Sequence, residues 1–299
     1  MDIHLFKTLI AVAKNESVTK ASEEIFRTQP AVTKQIQALE LQYGIKLFER
    51  KNHKFSLTQD GNILLDYAYR IINLYNESLN TINERQGKVI GTLRMGANFT
   101  TGIYVLPKLI KLFSETYPDL KIEMFLDNSE HIIRAVKRSD VNFGFIGVSF
   151  NDPLVVNHHF YQDEIKVIIG PDMASIKKNV SWKELETLPF VGRERGSDIR
   201  ETCEHWLKAK NIKLTPKLEL NNTEAIKMSV HCGIGFSLLP WCTVQQEVEN
   251  GSLRVISAPY LDVVQNFYVS HYSGKMLSKA EKTFLEFMFK EIEYVSAGK

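Results

Sequence analysis

The chain has 299 residues, 44% hydrophobic and 24% charged, the make-up of a folded protein long enough for two domains rather than of a disordered or fibrous chain. A formal net charge of +2 supplies no global basic field, so a nucleic-acid role has to rest on local geometry. There is no basic leader before a long apolar run and no stretch near ~18 uninterrupted apolar residues. The 3 cysteines make no disulfide framework, and the expectation is a cytoplasmic protein without a membrane span.

Leu5, Leu9, Val12 and Ala13 predict a first amphipathic helix ending near Lys14-Asn15. Ser17 offers an N-cap hydroxyl to a second helix, VTKASEEIF, with Val18, Ala21, Ile25 and Phe26 on one face. Thr28 is the next capping candidate, Pro30 falls in a first turn, and the third helix runs to Tyr43 and stops at Gly44. Within TQPAVTKQIQALE, Val32, Ile36 and Leu39 share one side, which leaves Gln29, Pro30, Thr33, Lys34 and Gln37 on or near the other. Small Ala21 and Ala31 permit the close crossing of a helix-turn-helix. IKLFERKNHKFSLT then reads as a short hairpin, a wing, around the charged centre Arg50 to Lys54.

From Arg27 to Leu57 there are six Lys and Arg against two Glu, a local +4 suited to phosphate contact. Gln29 can pair bidentately with adenine, Thr33 can meet phosphate or a thymine methyl, and Lys34 suits guanine or phosphate. An ordinary solvated helix face has similar residues. Helix spacing, wing and local charge together favour double-stranded DNA.

From Thr58 to about Lys88, apolar residues recur at Ile63, Leu64, Tyr67, Ala68, Ile71, Ile72, Leu74, Tyr75, Leu79 and Ile82. This predicts a helix of roughly 30 residues, or ~45 Å. No neighbouring helix in the sequence covers the stripe, so a dimerisation helix is favoured over a buried one. Gln86-Gly87-Lys88 reads as a hinge.

Beyond Gly91 strands and helices alternate: GTLRMGA, YVLPKLIKLFSETYP, LKIEMFLD, SEHIIRAVKRS and VNFGFIGV, then a second such series, and a last helix from about Ser278 to Tyr294. That order predicts a parallel sheet covered by helices. Ligands in such sheets sit at the carboxyl ends of strands, near helix N-termini. Four segments qualify: Asn98, Thr100, Thr101 and Gly102; Ile146-Gly147-Val148; Gly196, Ser197 and Asp198 with Arg200 one turn in; and Asn222 or Thr223. Hydroxyls and free N–H groups there make an anion site, to which Arg193, Arg195 or Arg200 could add charge. Each alone is also what an ordinary N-cap looks like.

ASEEIFRTQPAVTKQIQALELQYGIKLFER…SLTQDG resembles the N-terminal domain of LysR-type transcriptional regulators. The shared features are an Ala-containing second helix, Ser/Thr-Gln-Pro opening the third, Leu-Glu, Gly, Leu-Phe-x-Arg and Leu-Thr-x-x-Gly; Ser22 and Lys34 are mild departures. The resemblance implies an α/β chain with a winged helix-turn-helix over residues 1–58 and a linker and dimerisation helix over 59–89. A Rossmann-like, periplasmic-binding-protein-like effector domain would cover 90–299. Its subdomain I takes 90–162 and 267–299, its subdomain II 163–266, and the chain crosses near 161–165 and 265–268.

It implies DNA-facing roles for Ser17, Thr28, Gln29, Pro30, Thr33, Lys34, Arg50 at the wing and Thr58 near a phosphate. Effector contacts would fall on Asn98, Thr100, Thr101, Gly102, Ile146, Gly147, Gly196, Ser197, Asp198, Arg200 and Thr223. It also implies a homodimer or homotetramer on pseudo-palindromic sites, RNA polymerase as a partner, no enzymatic activity, and no cofactor besides a small-molecule effector. NFTTGIYVLP and RERGSDIR look closest to the branch that includes regulators of carbon-dioxide fixation and sulfur assimilation. Thr101 there replaces Ile, and Asp198-Ile199 replaces Gly-Thr. An acid at 198 weakens a plain anion site; it would pair with Arg200 or take the ammonium of a zwitterion, so the effector class is anionic or zwitterionic.

Other features carry less. Gly233 and Gly235 lack a third glycine at dinucleotide spacing, and GFSLL is no nucleophile elbow. Cys203 with His205 and His231 with Cys232 point in different directions on a helix, against a metal site. The alternative is a cytoplasmic solute-binding or redox-sensing protein with a fused helical domain, the thiol candidates being Cys203 and Cys232.

Overall fold

The computed structural model describes residues 2–51, 54–84, 91–173, 176 and 178–296. Helix α1 (Ile3–Asn15) starts at Asp2, whose carboxylate accepts from the His4 amide at 2.9 Å. Ser17 caps α2 (Val18–Glu24), its hydroxyl accepting from the Lys20 amide at 3.3 Å. α3 (Gln29–Tyr43) has Pro30 in its first turn and stops at Gly44, whose φ of 67° suits a residue without Cβ. Phe6, Leu9, Val12, Ala21, Val32, Ile36 and Leu39 close the core between these helices.

Phe26 departs from the expected buried face. α2 ends at Glu24, the Arg27 amide folds back onto the Ser22 carbonyl at 2.9 Å, and Phe26 sits at φ 52° with 94% of its surface exposed.

β1 (Phe48–Lys51) and β2 (Lys54–Leu57) form the wing hairpin, with the Phe48 and Phe55 rings stacked 4.8 Å apart. Its tip, 52–53, lies outside the described residues. Thr58 then starts α4 (Gln59–Glu84): its hydroxyl accepts from the Gly61 amide at 2.9 Å and donates to the Lys46 carbonyl at 2.6 Å. The 26 residues of α4 span ~39 Å at 1.5 Å per residue. The expected hinge Gln86-Gly87-Lys88 lies outside the described residues. Leu64, Leu65 and Ala68 bury into the winged-helix core, whereas Ile63, Tyr67, Leu74 and Ile82 are exposed.

The first lobe of the remainder comprises β3 (Gly91–Ala97), a π-helical turn at Thr101–Val105, α5 (Leu106–Thr116), β4 (Leu120–Leu126), α6 (Ser129–Lys137) and β5 (Phe143–Ile146). β6 (Val155–Ile169) leads into the second lobe: α7 (Trp182–Leu185), β7 (Phe190–Arg193), α8 (Asp198–Ala209), β8 (Pro216–Leu220), α9 (Thr223–His231), β9 (Phe236–Pro240), α10 (Trp241–Glu249) and β10 (Arg254–Ile256). β11 (Val264–Tyr272) and α11 (Lys279–Ser296) return to the first.

The strand order is β4-β3-β5-β11-β6-β9-β7-β8, with β10 also on β6. β3 is parallel to β4 and β5, and β7 to β8 and β9, as the alternating pattern predicts. The sheet as a whole is mixed rather than parallel, because β11 runs antiparallel to β5 and β6, and β6 antiparallel to β9. β6 pairs with β11 as far as Glu164 and with β9 from Ile165, so one strand serves both lobes. Each lobe has its own core, one around Met95, Phe113, Phe145 and Phe284, the other around Val167, Cys203, Phe236 and Leu238.

α4 also touches the first lobe. Arg138, just past α6, bonds Asp66 at 3.1 Å and lies over the Tyr69 ring, while the Asn73 amide donates to the Arg138 carbonyl at 3.0 Å. Burial pushes the neighbouring Asp140 carboxyl up to about 6. Among the described residues no helix is long and apolar enough to cross a membrane.

Candidate functional site

Two surfaces collect the functional candidates. On α3, Gln29, Pro30, Thr33 and Lys34 are exposed, and no described residue engages the side chains of Gln29, Thr33 or Lys34. Inward-facing Val32, Ile36 and Leu39 hold the helix, so the outer face is fixed without its polar groups being used. Ser17 and Thr58 are occupied as caps at their helix starts. Thr28 flanks α3 and makes no side-chain cap bond. Arg50 lies on β1, opposite Phe55. Not all of the local positive charge is free: Lys46 pairs with Glu40 at 2.7 Å.

The second surface is the cleft between the lobes, where four elements converge. Asn98 follows β3; its carbonyl oxygen Oδ1 accepts from the Thr101 amide at 2.8 Å, which fixes the side-chain amide and turns Nδ2 outward. Nδ2 donates across the cleft to Oδ2 of Asp198 at 2.7 Å. The same oxygen accepts from Ser129 Oγ at 2.5 Å and from the Gly147 amide at 2.9 Å. Asp198 opens α8 in the second lobe, whereas Asn98, Ser129 and Gly147 belong to the first. A single carboxylate oxygen therefore bridges the two lobes.

Gln265, on β11 and fully buried, floors the cavity: its Nε2 donates to the carbonyls of Gly147 at 2.5 Å and Asn266 at 3.0 Å, leaving Oε1 without a partner among the described residues. The space left is about 40 Å³, room for a few waters, lined also by Phe99, Thr100, Asp127, Arg193, Glu194, Gly196 and Ser197. Arg193 is the basic side chain in that lining, and it is spent: it holds Glu194 through two bonds, at 2.7 and 2.9 Å, and donates to Thr223 Oγ1 at 3.1 Å.

The predicted residues thus divide. Asn98, Thr100, Gly196, Ser197 and Asp198 line the cavity, and Gly147 reaches it through its amide. Thr223 is one contact removed, behind Arg193. Thr101 and Ile146 are buried in the first lobe, and a Cβ on Gly102 would strike Leu126 at 2.2 Å, so these three support the wall instead of lining the cavity. Arg200 faces away: it bonds Glu204 at 2.6 Å, Glu219 at 2.5 Å and the Arg193 carbonyl at 2.8 Å, and the expected Asp198–Arg200 pair does not form. Residues two apart on a helix lie about 200° around its axis, so only one of them can face the cleft.

Ser129 and Gln265 were not anticipated. Ser129 follows β4 and starts α6, a position the same strand-end rule covers, whereas Gln265 had only its oddness within an apolar strand as a signal.

A larger hollow of about 490 Å³ opens beside Tyr104, Glu224, Lys227 and Trp241. Its charges already satisfy one another, since Lys227 bonds Glu224 at 2.8 Å and Glu247 at 2.6 Å, and Tyr104 donates to Glu224. No group of three or more His, Cys, Asp or Glu among the described residues is placed to hold a metal ion. Cys203 is buried and its thiol is pushed up to about 12, first by desolvation and then by Glu204, which opposes the thiolate that redox sensing needs.

An exposed helix-turn-helix face joined to a two-lobed α/β receptor defines a regulator class, and comparison with known proteins fixes the family. The profile "LysR substrate binding domain" matches residues 86–292, and "Bacterial regulatory helix-turn-helix protein, lysR family" matches residues 3–62. The chain belongs to the LysR family of transcriptional regulators, and it is not an enzyme.

The HTH-type transcriptional activator CmpR of Synechocystis is 30% identical over 98% of this chain and 97% of its own length. A probable RuBisCO transcriptional regulator of Cyanidioschyzon merolae is 30% identical over 93% of this chain and 94% of its own, in keeping with the carbon-fixation branch. Full-length CbnR complexed with target DNA shares the fold at a TM-score of 0.70 and 18% identity, covering 99% of this chain and 100% of that one. The Synechocystis CcmR regulatory domain in complex with 2-PG does so at 0.62 and 24% identity, covering 68% of this chain and 98% of that one.

Proposed function

We propose that this regulator grips pseudo-palindromic DNA as a homodimer or homotetramer in the cytoplasm and changes its grip when a small anionic or zwitterionic metabolite settles between the lobes. In this reading residues 1–58 bind DNA, 59–89 pair with a twin, and 90–299 receive the effector and pass the change on to RNA polymerase. Gln29, Pro30, Thr33 and Lys34 face the major groove, Arg50 reaches the minor groove or the backbone from the wing, Thr58 caps its helix near a phosphate, and Ser17 and Thr28 stand at helix starts on the DNA side. Unused polar side chains on a face held rigid from behind are what base and phosphate contact requires.

The observation that carries the effector half is the polar bridge at Asp198, where donors from three elements of one lobe converge on a group of the other. A ligand that binds there changes the lobes' relation only through its differential affinity for the open and closed arrangements. CcmR, whose regulatory domain is in complex with 2-PG, lends support to a small-molecule effector.

The test is a gel shift on the region upstream of the regulator's own gene, titrated with salt and repeated with metabolites selected by thermal shift. The expected result is a specific complex whose log affinity falls steeply with log salt and whose mobility changes with one metabolite. Metabolite binding without any specific DNA complex would support the solute-binding alternative.

A further inference from the structure

Resting on the reading of the cleft as the effector site, we infer that the Asp198 carboxylate is a built-in ligand: it fills the first lobe's carboxylate cradle, so that the true effector is a small carboxylate bearing a neighbouring hydroxyl or ammonium, which binds by displacing it. The cradle has the chemistry of an anion site. Its donors are the Asn98 amide at 2.7 Å, the Ser129 hydroxyl at 2.5 Å at the start of α6, and the Gly147 N–H at 2.9 Å, and they meet on one oxygen of a residue from the opposite lobe. Two of the three are held by more than Asp198. Asn98 is oriented by the Thr101 amide, and the Gly147 N–H by the end of β5, so these two donors stay in place when Asp198 leaves, while the Ser129 hydroxyl, bonded to Asp198, is freed to turn to a new acceptor.

A second observation, independent of those bonds, points to what else the ligand carries. Gln265, a residue of the same cavity lining, is 0% exposed, its Nε2 is committed to two carbonyls, and its Oε1 has no donor among the described residues. A buried acceptor without a donor is costly, and a hydroxyl or ammonium beside a bound carboxylate supplies the missing one.

Charge agrees. Asp127, Glu194 and Asp198 face the cavity with Arg193, whose guanidinium Glu194 already holds, so a second anion beside a seated Asp198 is opposed, whereas an exchange of one carboxylate for another is not. The small volume of about 40 Å³ points the same way, since nothing beyond a few waters fits until Asp198 swings out.

The experiment is chemical rescue with acetate. Full-length wild type, Asp198→Ala and Asp198→Ala combined with Gly147→Ala are compared by thermal shift and calorimetry in sodium acetate against sodium chloride of equal ionic strength. A Cβ on Gly147 lands 2.7 Å from where Asp198 Oδ2 sits, so it fills the cradle, and it also presses on the Cβ of residue 198 at 2.8 Å and on Gln265 Nε2 at 2.9 Å, so the melting temperature of the double variant without acetate is recorded to show that it is folded.

The single variant is expected to bind acetate at least about tenfold more tightly than wild type, and the double variant to lose that gain. Equal acetate binding by wild type and Asp198→Ala, or a gain that survives Gly147→Ala, overturns the proposal. If Asp198→Ala does not fold, Asp198→Asn carries the test: with the side chain's shape kept and its charge removed, the mid-point acetate concentration for stabilisation is expected to fall, and an unchanged mid-point overturns the proposal. The two readings fail separately. A metabolite that stabilises wild type while the variant ignores acetate refutes the built-in ligand alone. Acetate binding by the variant with no metabolite-dependent change in DNA complexes refutes the effector reading and leaves Asp198 in its cradle.

Discussion

Asp140→Asn is expected to stabilise the protein at neutral pH and to do so less as the pH falls. Asp140 stands in the turn after α6 against the linker helix, and burial, only partly opposed by Arg138 and then Arg94, raises its carboxyl from 3.8 to about 6, with Asp66 adding a smaller push upward. A carboxyl that is harder to ionise in the folded state holds its full contribution below the unfolded value and loses it as pH rises through the folded value. The loss therefore falls between about pH 4 and pH 6 and is complete above. At 1.36 kcal/mol per unit the ionised Asp140 costs roughly 3 kcal/mol at pH 8, about half of that at pH 5 and under ~1 kcal/mol at pH 4. Asn keeps the shape and removes the charge, so the variant's advantage should follow that curve. Thermal melts of both proteins from pH 4 to pH 8 at constant ionic strength measure it. A gain independent of pH, or no gain at pH 8, would refute the claim that an ionised carboxylate is held there against its solvation.

Phe26→Asn is expected to raise stability by about 1 kcal/mol, because Asn tolerates the left-handed backbone that costs a bulky residue roughly 1–2 kcal/mol, and the exposed ring gives up little burial; urea unfolding of the full chain reads it. Gln29→Ala is expected to relax base preference by roughly 1–3 kcal/mol at one operator position, and Thr100→Ala to abolish the effector response with DNA affinity intact; equal loss of DNA affinity in gel shifts of both variants contradicts that division. Leu74→Glu places a charge on the open stripe of α4, where Leu74 is 68% exposed; if α4 pairs with its twin as proposed, the variant sediments as a monomer at concentrations where wild type sediments as a dimer or larger, and equal sedimentation of the two refutes that pairing.

Most local features were legible because they are short-range chemistry. Ser17, Pro30 and Gly44 occupy the helix positions their side chains and φ preferences dictate, and Val32, Ile36 and Leu39 bury together as their spacing requires. Phe26 was misplaced because apolar periodicity ran one turn past a backbone reversal that Arg27 closes on Ser22. The antiparallel pairing of β6 and β11 was not legible: a strand's sequence shows which residues are buried, not the direction of a partner some 100 positions away. In the cleft, loop ends could be placed but polar partners could not. Arg193 looked like a free cation until Glu194 was seen to hold it, and Gln265 became informative only once its amide was found half used.

The placement of α6 gives that polar detail a mechanical consequence. Its first residue, Ser129, donates to Asp198 in the cleft; Arg138, immediately after its last, grips Asp66, lies over Tyr69 and accepts from Asn73 on the linker helix. Nine residues of helix span only ~13 Å and do not stretch, so a shift at the cleft end is carried to the linker end unless the contacts at Arg138 yield. Those contacts are the weaker partners. The Arg138–Asp66 pair is exposed and worth about 1 kcal/mol or less, while the α6 face buries Ile132, Ile133 and Val136 against β3 and β5. Movement of α6 with its lobe is thus taken up first at its junction with α4, beside the buried carboxyl of Asp140. The stretch of chain that supplies one donor of the cradle therefore ends on the contacts with the linker helix that give way first.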